Sequence, residues 1–310
     1  MIVVVTGASG FVGRHLVPGL AAGGIEVRPV MRRLTEDSPP GSRLGALDGN
    51  WPGDWPALLE GADAVVHLAA HNPRGKGSDP DAFRRVNVEG TARLAREARK
   101  AGAAQFVFAS SVRAYGPTTA ERIGEDTPLA SADPYGRSKA DAEAALAADL
   151  AGGETGWTVL RPPAIYGPGG GGIPALIERA VRRGVPLPFS DARSRRSLLY
   201  VGNFVSAIRA CLIDPPESGR VFNVADAVAP TYAELAVLIG QATGRPARLF
   251  AAPEAASRFA SALPVIGEIV DRLSRPLVCD TTRITTELGW TPPFTTLEGL
   301  RSSFGKTRKD

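Results

Sequence analysis

TGASGFVG, residues 6–13, is the stretch whose reading decides the fold. It follows IVVV (2–5), a continuous apolar run of the kind expected of a strand buried on both faces. It opens a helical pattern from Val12 to Ala22 that stops at Gly23-Gly24, residues suited to a helix C-terminus. Gly7, Gly10 and Gly13 are spaced GxxGxxG. Glycine permits a tight turn and lets backbone N–H groups approach a pyrophosphate. The partial positive charge of a helix N-terminus favours the same anion. A glycine pattern alone is a weak signal, but between a strand and a helix it has the context of a dinucleotide-binding turn. The candidate cofactor residues of this turn are Gly7, Ser9, Gly10, Phe11, Val12 and Gly13.

Outward from the turn, β-branched runs alternate with helical patterns. EVRPVM (26–31), ADAVVHLAA (62–70), QFVFASS (105–111) and WTVLRPP (157–163) read as strands. Residues 81–101 read as an Arg-rich amphipathic helix ending at Gly102, and a second helix runs from near Pro134 to Leu150. This rhythm predicts an α/β fold, a Rossmann-type doubly wound parallel sheet. The dinucleotide-binding domain is expected over 1–163, rejoined by part of 198–215. Residues 164–310 are expected to form mainly a smaller C-terminal α/β substrate lobe, including a helix at 174–183 and the segment GRVFNVAD. Residues 305–310 read as a frayed basic tail.

Composition narrows the function. The 310 residues are 44% hydrophobic and 22% charged, which excludes a disordered chain. Two distant cysteines, Cys211 and Cys279, and three histidines offer neither a disulfide framework nor metal-ligand spacing. No metal is expected, and the compartment is read as reducing and cytoplasmic. No apolar run is long enough to span a membrane, and the N-terminus reads as a strand, not a signal peptide. The net charge of +4 comes from dispersed arginines without a basic run. That pattern argues against nucleic acid and suits an anionic small substrate such as a diphosphate.

The end of the second strand selects the dinucleotide, because an acid there binds the adenosine ribose whereas arginine suits a 2′-phosphate. Here Met31 is followed by Arg32 and Arg33, with no acid until Glu36. NADP(H) is therefore favoured, with NAD(H) as the alternative. The bland reading of Arg32 and Arg33 is solvated loop charge.

Tyr135 and Lys139 form YGRSK, a pair at i, i+4 on one face of the predicted helix. A neighbouring ammonium is expected to lower the phenol pKa, letting Tyr135 exchange a proton near neutral pH. Ser111, ending FASS, can hydrogen-bond a substrate oxygen and the tyrosine.

With these motifs the chain resembles the extended short-chain dehydrogenase/reductases of the nucleotide-sugar epimerase/dehydratase kind. TGASGFVG, DAVVHLAA, VNVEGT, FVFASS, YGRSK, LRPPAIYGPG, RRSLLYV and LGWTPP occur in the family's order over nearly the whole chain. The resemblance implies that Ser111, Tyr135 and Lys139 are catalytic, with Lys139 also holding the nicotinamide ribose. It implies that Leu68, Ala69 and Ala70 line the cofactor, that Asn87 braces the active-site helix, and that Pro162 lies near the nicotinamide. Ala109 belongs to the same cofactor set, and Leu47 keeps the aliphatic adenine contact. Arg196 aligns with a family arginine that grips the substrate diphosphate, a match to its guanidinium fork. The implied assembly is a homodimer through the helices at 81–101 and 134–150. Two departures stand out: Ala46 where many members carry aspartate, and Pro163-Ala164 where many carry an asparagine.

The reaction is read from what is missing. Related 4,6-dehydratases carry Thr-Asp-Glu where this chain has Ser111-Val112-Arg113, so dehydration is not expected. Glu121 and Glu125 read as solvated loop residues, and Arg113 as a residue without an assigned role. Arg32 and the missing acid favour an exchangeable NADPH, hence reduction of the 4-keto group of a nucleotide sugar, and PLPFSDARSRRSLLYVGNF (186–204) resembles reductases of the UDP-4-keto-6-deoxy-N-acetylhexosamine type. A UDP-sugar 4-epimerase is the alternative. A non-catalytic dinucleotide-binding module is the alternative of another class.

Overall fold

The computed structural model describes residues 1–45, 54–72, 79–117, 122–189, 193–251 and 275–305. The apolar run of residues 2–5 becomes β1 (Ile2–Thr6), flanked on one side by β2 (Glu26–Met31) and β3 (Arg43–Leu44). On its other side follow β4 (Ala64–His67), β5 (Gln105–Ala109), β6 (Gly156–Arg161) and β9 (Arg220–Asn223). All pairings within this seven-stranded sheet are parallel. The two strands between β6 and β9 in sequence form a separate parallel pair, β7 (Ala164–Tyr166) with β8 (Leu198–Tyr200).

Both faces of the main sheet are covered, which is why its strands are apolar without alternation. Val3 and Val5 face one core with Leu16 and Leu20 of α1 (Phe11–Ala22), Phe204 and Ile208 of α7 (Val201–Ile213) and Ile284 of α9 (Thr282–Leu288). Val4 faces the opposite core with Leu58 of α2 (Trp55–Leu59), Leu94 of α4 (Gly90–Lys100) and Leu146 of α5 (Pro134–Leu150). Each such fully buried side chain contributes about 1.5–3 kcal/mol. Strand order reverses between β1 and β4, so a crevice opens beyond their C-terminal ends. TGASGFVG and Leu68–Ala70 leave the sheet at that point.

A third core lies in the C-terminal part. Tyr166 of β7, Ile177 and Val181 of α6 (Gly172–Arg182), Leu235 and Ile239 of α8 (Tyr232–Thr243) and Leu300 of α10 (Thr296–Phe304) pack together. Capping boxes, Thr231 with Glu234 and Thr295 with Glu298, fix the starts of α8 and α10.

The structure departs from the sequence reading in definable ways. Residues 81–101 are not one regular helix. They comprise α3 (Pro80–Ala82), a π-helical segment Phe83–Glu89, and α4. The segment GRVFNVAD supplies β9 of the main sheet, although the sequence placed it in the smaller lobe. Four residues, RVFN, with Val221 and Phe222 apolar, read alike in either sheet, and only pairing with β6 decides. Leu47 and Ala46 lie outside the described residues, as do Glu121 and the basic tail from residue 306. No helix among the described residues is long and apolar enough to cross a membrane.

Candidate active site

The glycine turn is built by backbone contact. Gly7 has φ of 71°, and a Cβ there would stand 2.6 Å from the Ala69 nitrogen. A Cβ on Gly13 would stand 2.4 Å from the Gly7 carbonyl oxygen. The Gly10 N–H donates to that oxygen at 2.9 Å. Gly10 caps α1 without a side-chain hydrogen bond, and the first turn carries no acid. The first N–H groups of α1 thus face no competing side chain. Ser9 is exposed, Phe11 is half-buried against His15, and Val12 packs on the core beneath. This cradle fits a dinucleotide pyrophosphate. When bound, a nicotinamide dinucleotide supplies or accepts the hydride.

Beyond β4 the chain is wired to the turn. The Thr6 hydroxyl meets His67 Nδ1 at 2.7 Å and accepts from the Ala69 N–H at 3.4 Å. His67 Nε2 lies 3.0 Å from the Thr91 hydroxyl, which itself donates to the Asn87 carbonyl at 2.6 Å. Thr91 therefore accepts from Nε2–H, leaving Nδ1 to accept from Thr6. Burial, reinforced by Lys139, lowers the His67 pKa to about 3, so the ring is neutral. Leu68, Ala69 and Ala70 are half-buried beside the turn. Asn87 is 1% exposed. Its amide accepts from the His71 N–H at 2.6 Å and donates to the His71 carbonyl at 3.1 Å and the Ser138 hydroxyl at 2.9 Å. It ties the π-helical segment to α5. Arg32 and Arg33 follow β2 directly, are exposed, and have no hydrogen bond or ion pair among the described residues.

Ser111, Tyr135 and Lys139 converge at the C-terminal ends of β5 and β6. Pro134 occupies the first turn of α5, and the Asp133 carboxylate caps it by accepting from the Gly136 N–H at 2.9 Å. Ser111 is 9% exposed and caps the following 3-10 turn Val112–Tyr115. Its hydroxyl lies close enough to the Tyr135 phenol to pull the phenol pKa down. Pro162 is buried beside it, its carbonyl accepting from the Val112 N–H at 3.1 Å.

Burial weighs more than any neighbouring charge on both residues. It pushes Tyr135 up to about 12, against the pull of Arg113 and Ser111. The Lys139 ammonium donates to the Ala109 carbonyl at 2.8 Å and lies 4.6 Å from the centroid of the Phe108 ring. Burial brings Lys139 down to about 7, with Glu143 opposing. The i, i+4 spacing puts both side chains on one face, but rotamers decide where their tips go.

One turn after Lys139, Glu143 forms a buried ion pair with Arg161 of β6, with Nε–Oε1 at 3.0 Å. The Ser110 hydroxyl donates to Glu143, and Arg161 Nη1 donates to the Tyr115 hydroxyl at 2.9 Å and the Glu125 carbonyl at 3.1 Å. Glu125 was read as solvated. Its side chain is 5% exposed and accepts from the Asn223 N–H at 2.8 Å, so it is a structural carboxylate.

A cavity of about 640 Å³ opens onto this centre. Its wall includes Ser111, Arg113, Asp133 and Tyr135, together with Arg196 and Arg275. Arg196 Nη1 donates to the Arg275 carbonyl at 3.0 Å. Arg195 pairs instead with Glu234 at 3.0 Å. Sequence reasoning missed Arg275, which no local motif marks. It reaches the site because the chain near Leu277 bridges to Arg196. Arg113 was named without a role, yet its guanidinium lies 4.9 Å from the centroid of the Tyr135 ring. No cluster suited to a metal ion occurs among the described residues.

Comparison with known proteins agrees with this geometry. The model of the NAD dependent epimerase/dehydratase family matches residues 3–225. A Vibrio cholerae UDP-glucose 4-epimerase is 32% identical, covering 97% of this chain and 94% of that protein. The structure of MoeE5 in complex with UDP-glucuronic acid and NAD is similar with a TM-score of 0.77 at 28% identity, covering 98% of each chain. A Bacillus cereus UDP-N-acetylglucosamine 4-epimerase shares the fold with a TM-score of 0.80 at 21% identity, covering 97% of each chain. With a family model and a full-length relative both spanning most of it, this chain is an enzyme and belongs to the NAD dependent epimerase/dehydratase family.

Proposed function

We propose that the enzyme is an NAD(P)-dependent oxidoreductase acting at C4 of a nucleotide-diphosphate sugar. The favoured reaction is reduction of a 4-keto group of the UDP-4-keto-6-deoxy-N-acetylhexosamine type. The observation that carries the reading is the single cavity shared by Ser111 and Tyr135 with Arg196 and Arg275. A substrate with a reacting oxygen at one end and a diphosphate at the other matches that wall. Tyr135 gives its proton to the C4 oxygen, Ser111 orients that oxygen, and Lys139 holds the nicotinamide ribose. Asp133 is the sole carboxylate among the described wall residues, and it is engaged by Arg113 at 2.6 Å and by the helix cap. That argues against removal of water, which needs a free acid and base. Arg32 and Arg33 favour NADP(H), which must exchange after each reduction.

A 4-epimerase is the second reading. The activity named for the Vibrio cholerae relative and the NAD held by MoeE5 favour it. Epimerisation returns the same hydride, so its dinucleotide stays bound. A homodimer paired through residues 81–101 and 134–150 is proposed under either reading.

Two measurements separate them. The dinucleotide released on denaturing the purified enzyme is identified, and the stripped enzyme is titrated with NADPH and NADH. An empty enzyme that prefers NADPH, loses that preference on Arg32→Ala, and reduces the 4-keto sugar supports the reductase. Retained NAD with interconversion of UDP-glucose and UDP-galactose overturns it in favour of the epimerase. Tight dinucleotide binding without turnover on either sugar would overturn both substrate readings.

A further inference from the structure

The Lys139 ammonium donates to the Ala109 carbonyl. A second cation, Arg113, stands over the Tyr135 ring. The Arg113 guanidinium lies over the ring at 4.9 Å from the centroid, on the wall of the substrate cavity. Its ion pair with Asp133, at 2.6 Å, fixes it there, and Asp133 is in turn fixed by the Gly136 N–H at 2.9 Å. The backbone closes the same contact. A Cβ at Gly136 would stand 2.2 Å from the Arg113 carbonyl oxygen, so the turn carrying Arg113 abuts the first turn of α5.

We propose that Arg113 is a positioning residue for proton transfer: it holds the Tyr135 ring by stacking and favours its ionised form, with Asp133 as the opposing charge. This rests on the reading of Tyr135 as the proton donor. The surroundings leave few other candidates. The turn after β5 contributes Arg113 and the Ser111 hydroxyl. Helix α5 contributes its cap Asp133 and, one turn on from Tyr135, Lys139, whose ammonium donates to the Ala109 carbonyl. The π-helical segment presents the Phe83 ring at 6.2 Å, with His71 behind it at 5.0 Å from Phe83. A guanidinium is suited to the task because its planar face stacks on an aromatic ring while its edge pairs with a carboxylate. Both partners are partly exposed, so screening limits the effect, and two opposite charges nearly cancel when both are present. Removing either one should therefore move the phenol, in opposite directions.

The test needs no sugar. Protein saturated with NAD+ and carrying carbon-13 at the tyrosine Cζ is titrated by NMR up to about pH 11. The Tyr135 signal is assigned by its loss in Tyr135→Phe. Arg113→Met should lower the fraction of tyrosinate at the alkaline end, an upward shift on the order of half a unit or more. Asp133→Asn, which keeps the helix cap, should raise it. Arg113→Lys should return most of the way to the wild type. Shifts in the same direction for Arg113→Met and Asp133→Asn, or none while NAD+ stays bound, overturn the proposal. If only NADP+ binds, the titration is run with NADP+ in its place; failure of the unaltered protein to bind either dinucleotide points to the dinucleotide reading as the one that is wrong. A structural role alone would alter stability without moving the two titrations apart.

Discussion

Lys139 donates from its ammonium to the Ala109 carbonyl, 2.8 Å away at the end of β5. The side chain is 2% exposed, and burial holds its pKa near 7 instead of 10.5. Between those values the unfolded chain binds the proton more tightly, so stability rises with pH across that window and the cost is complete below it. Lys139→Met should thus raise unfolding free energy at pH 6 by on the order of 3 kcal/mol, an advantage that fades toward pH 10. The same variant should lose activity by at least about a hundredfold. Chemical denaturation at several pH values, beside turnover, checks both.

Tyr135→Phe should cut kcat by about 100–10,000-fold while leaving dinucleotide affinity unchanged. Equilibrium titration with NADPH and NADH checks the second half. Unaltered turnover would remove Tyr135 from the mechanism.

His67 predicts acid sensitivity. Its folded pKa of about 3 lies below the ordinary 6.5, so the unfolded chain takes up the proton first as pH falls. Stability should decline from about pH 6.5 downward, and His67→Gln should flatten that slope. Thermal unfolding between about pH 4 and pH 7 reads it.

Glu143→Ala should destabilise the enzyme by about 3–5 kcal/mol, because it leaves the Arg161 guanidinium buried without its carboxylate. Adding Arg161→Met should recover part of that loss. Urea midpoints of the single and double variants test the coupling.

Gly7→Ala should weaken dinucleotide binding at least about tenfold and cost about 1–3 kcal/mol. Its φ of 71° is left-handed, and the new methyl would press on the Ala69 backbone. Calorimetric titration with either dinucleotide measures the loss.

The sequence by itself determined the parallel sheet, the glycine turn after β1, and the grouping of Ser111, Tyr135 and Lys139. These rest on local patterns: apolar runs, glycines at fixed spacing, and a helix face that repeats every turn. Tertiary structure alone decided where charged tips point and what encloses them. It turned Lys139 to Ala109, set Arg113 over Tyr135, buried Glu125 against Asn223, and brought Arg275 beside Arg196. Each depends on rotamers and on segments up to about a hundred residues apart packing together, and burial then moved pKa values further than neighbouring charges did. Local spacing can place a residue on a face; only the surrounding fold fixes its partner and its proton.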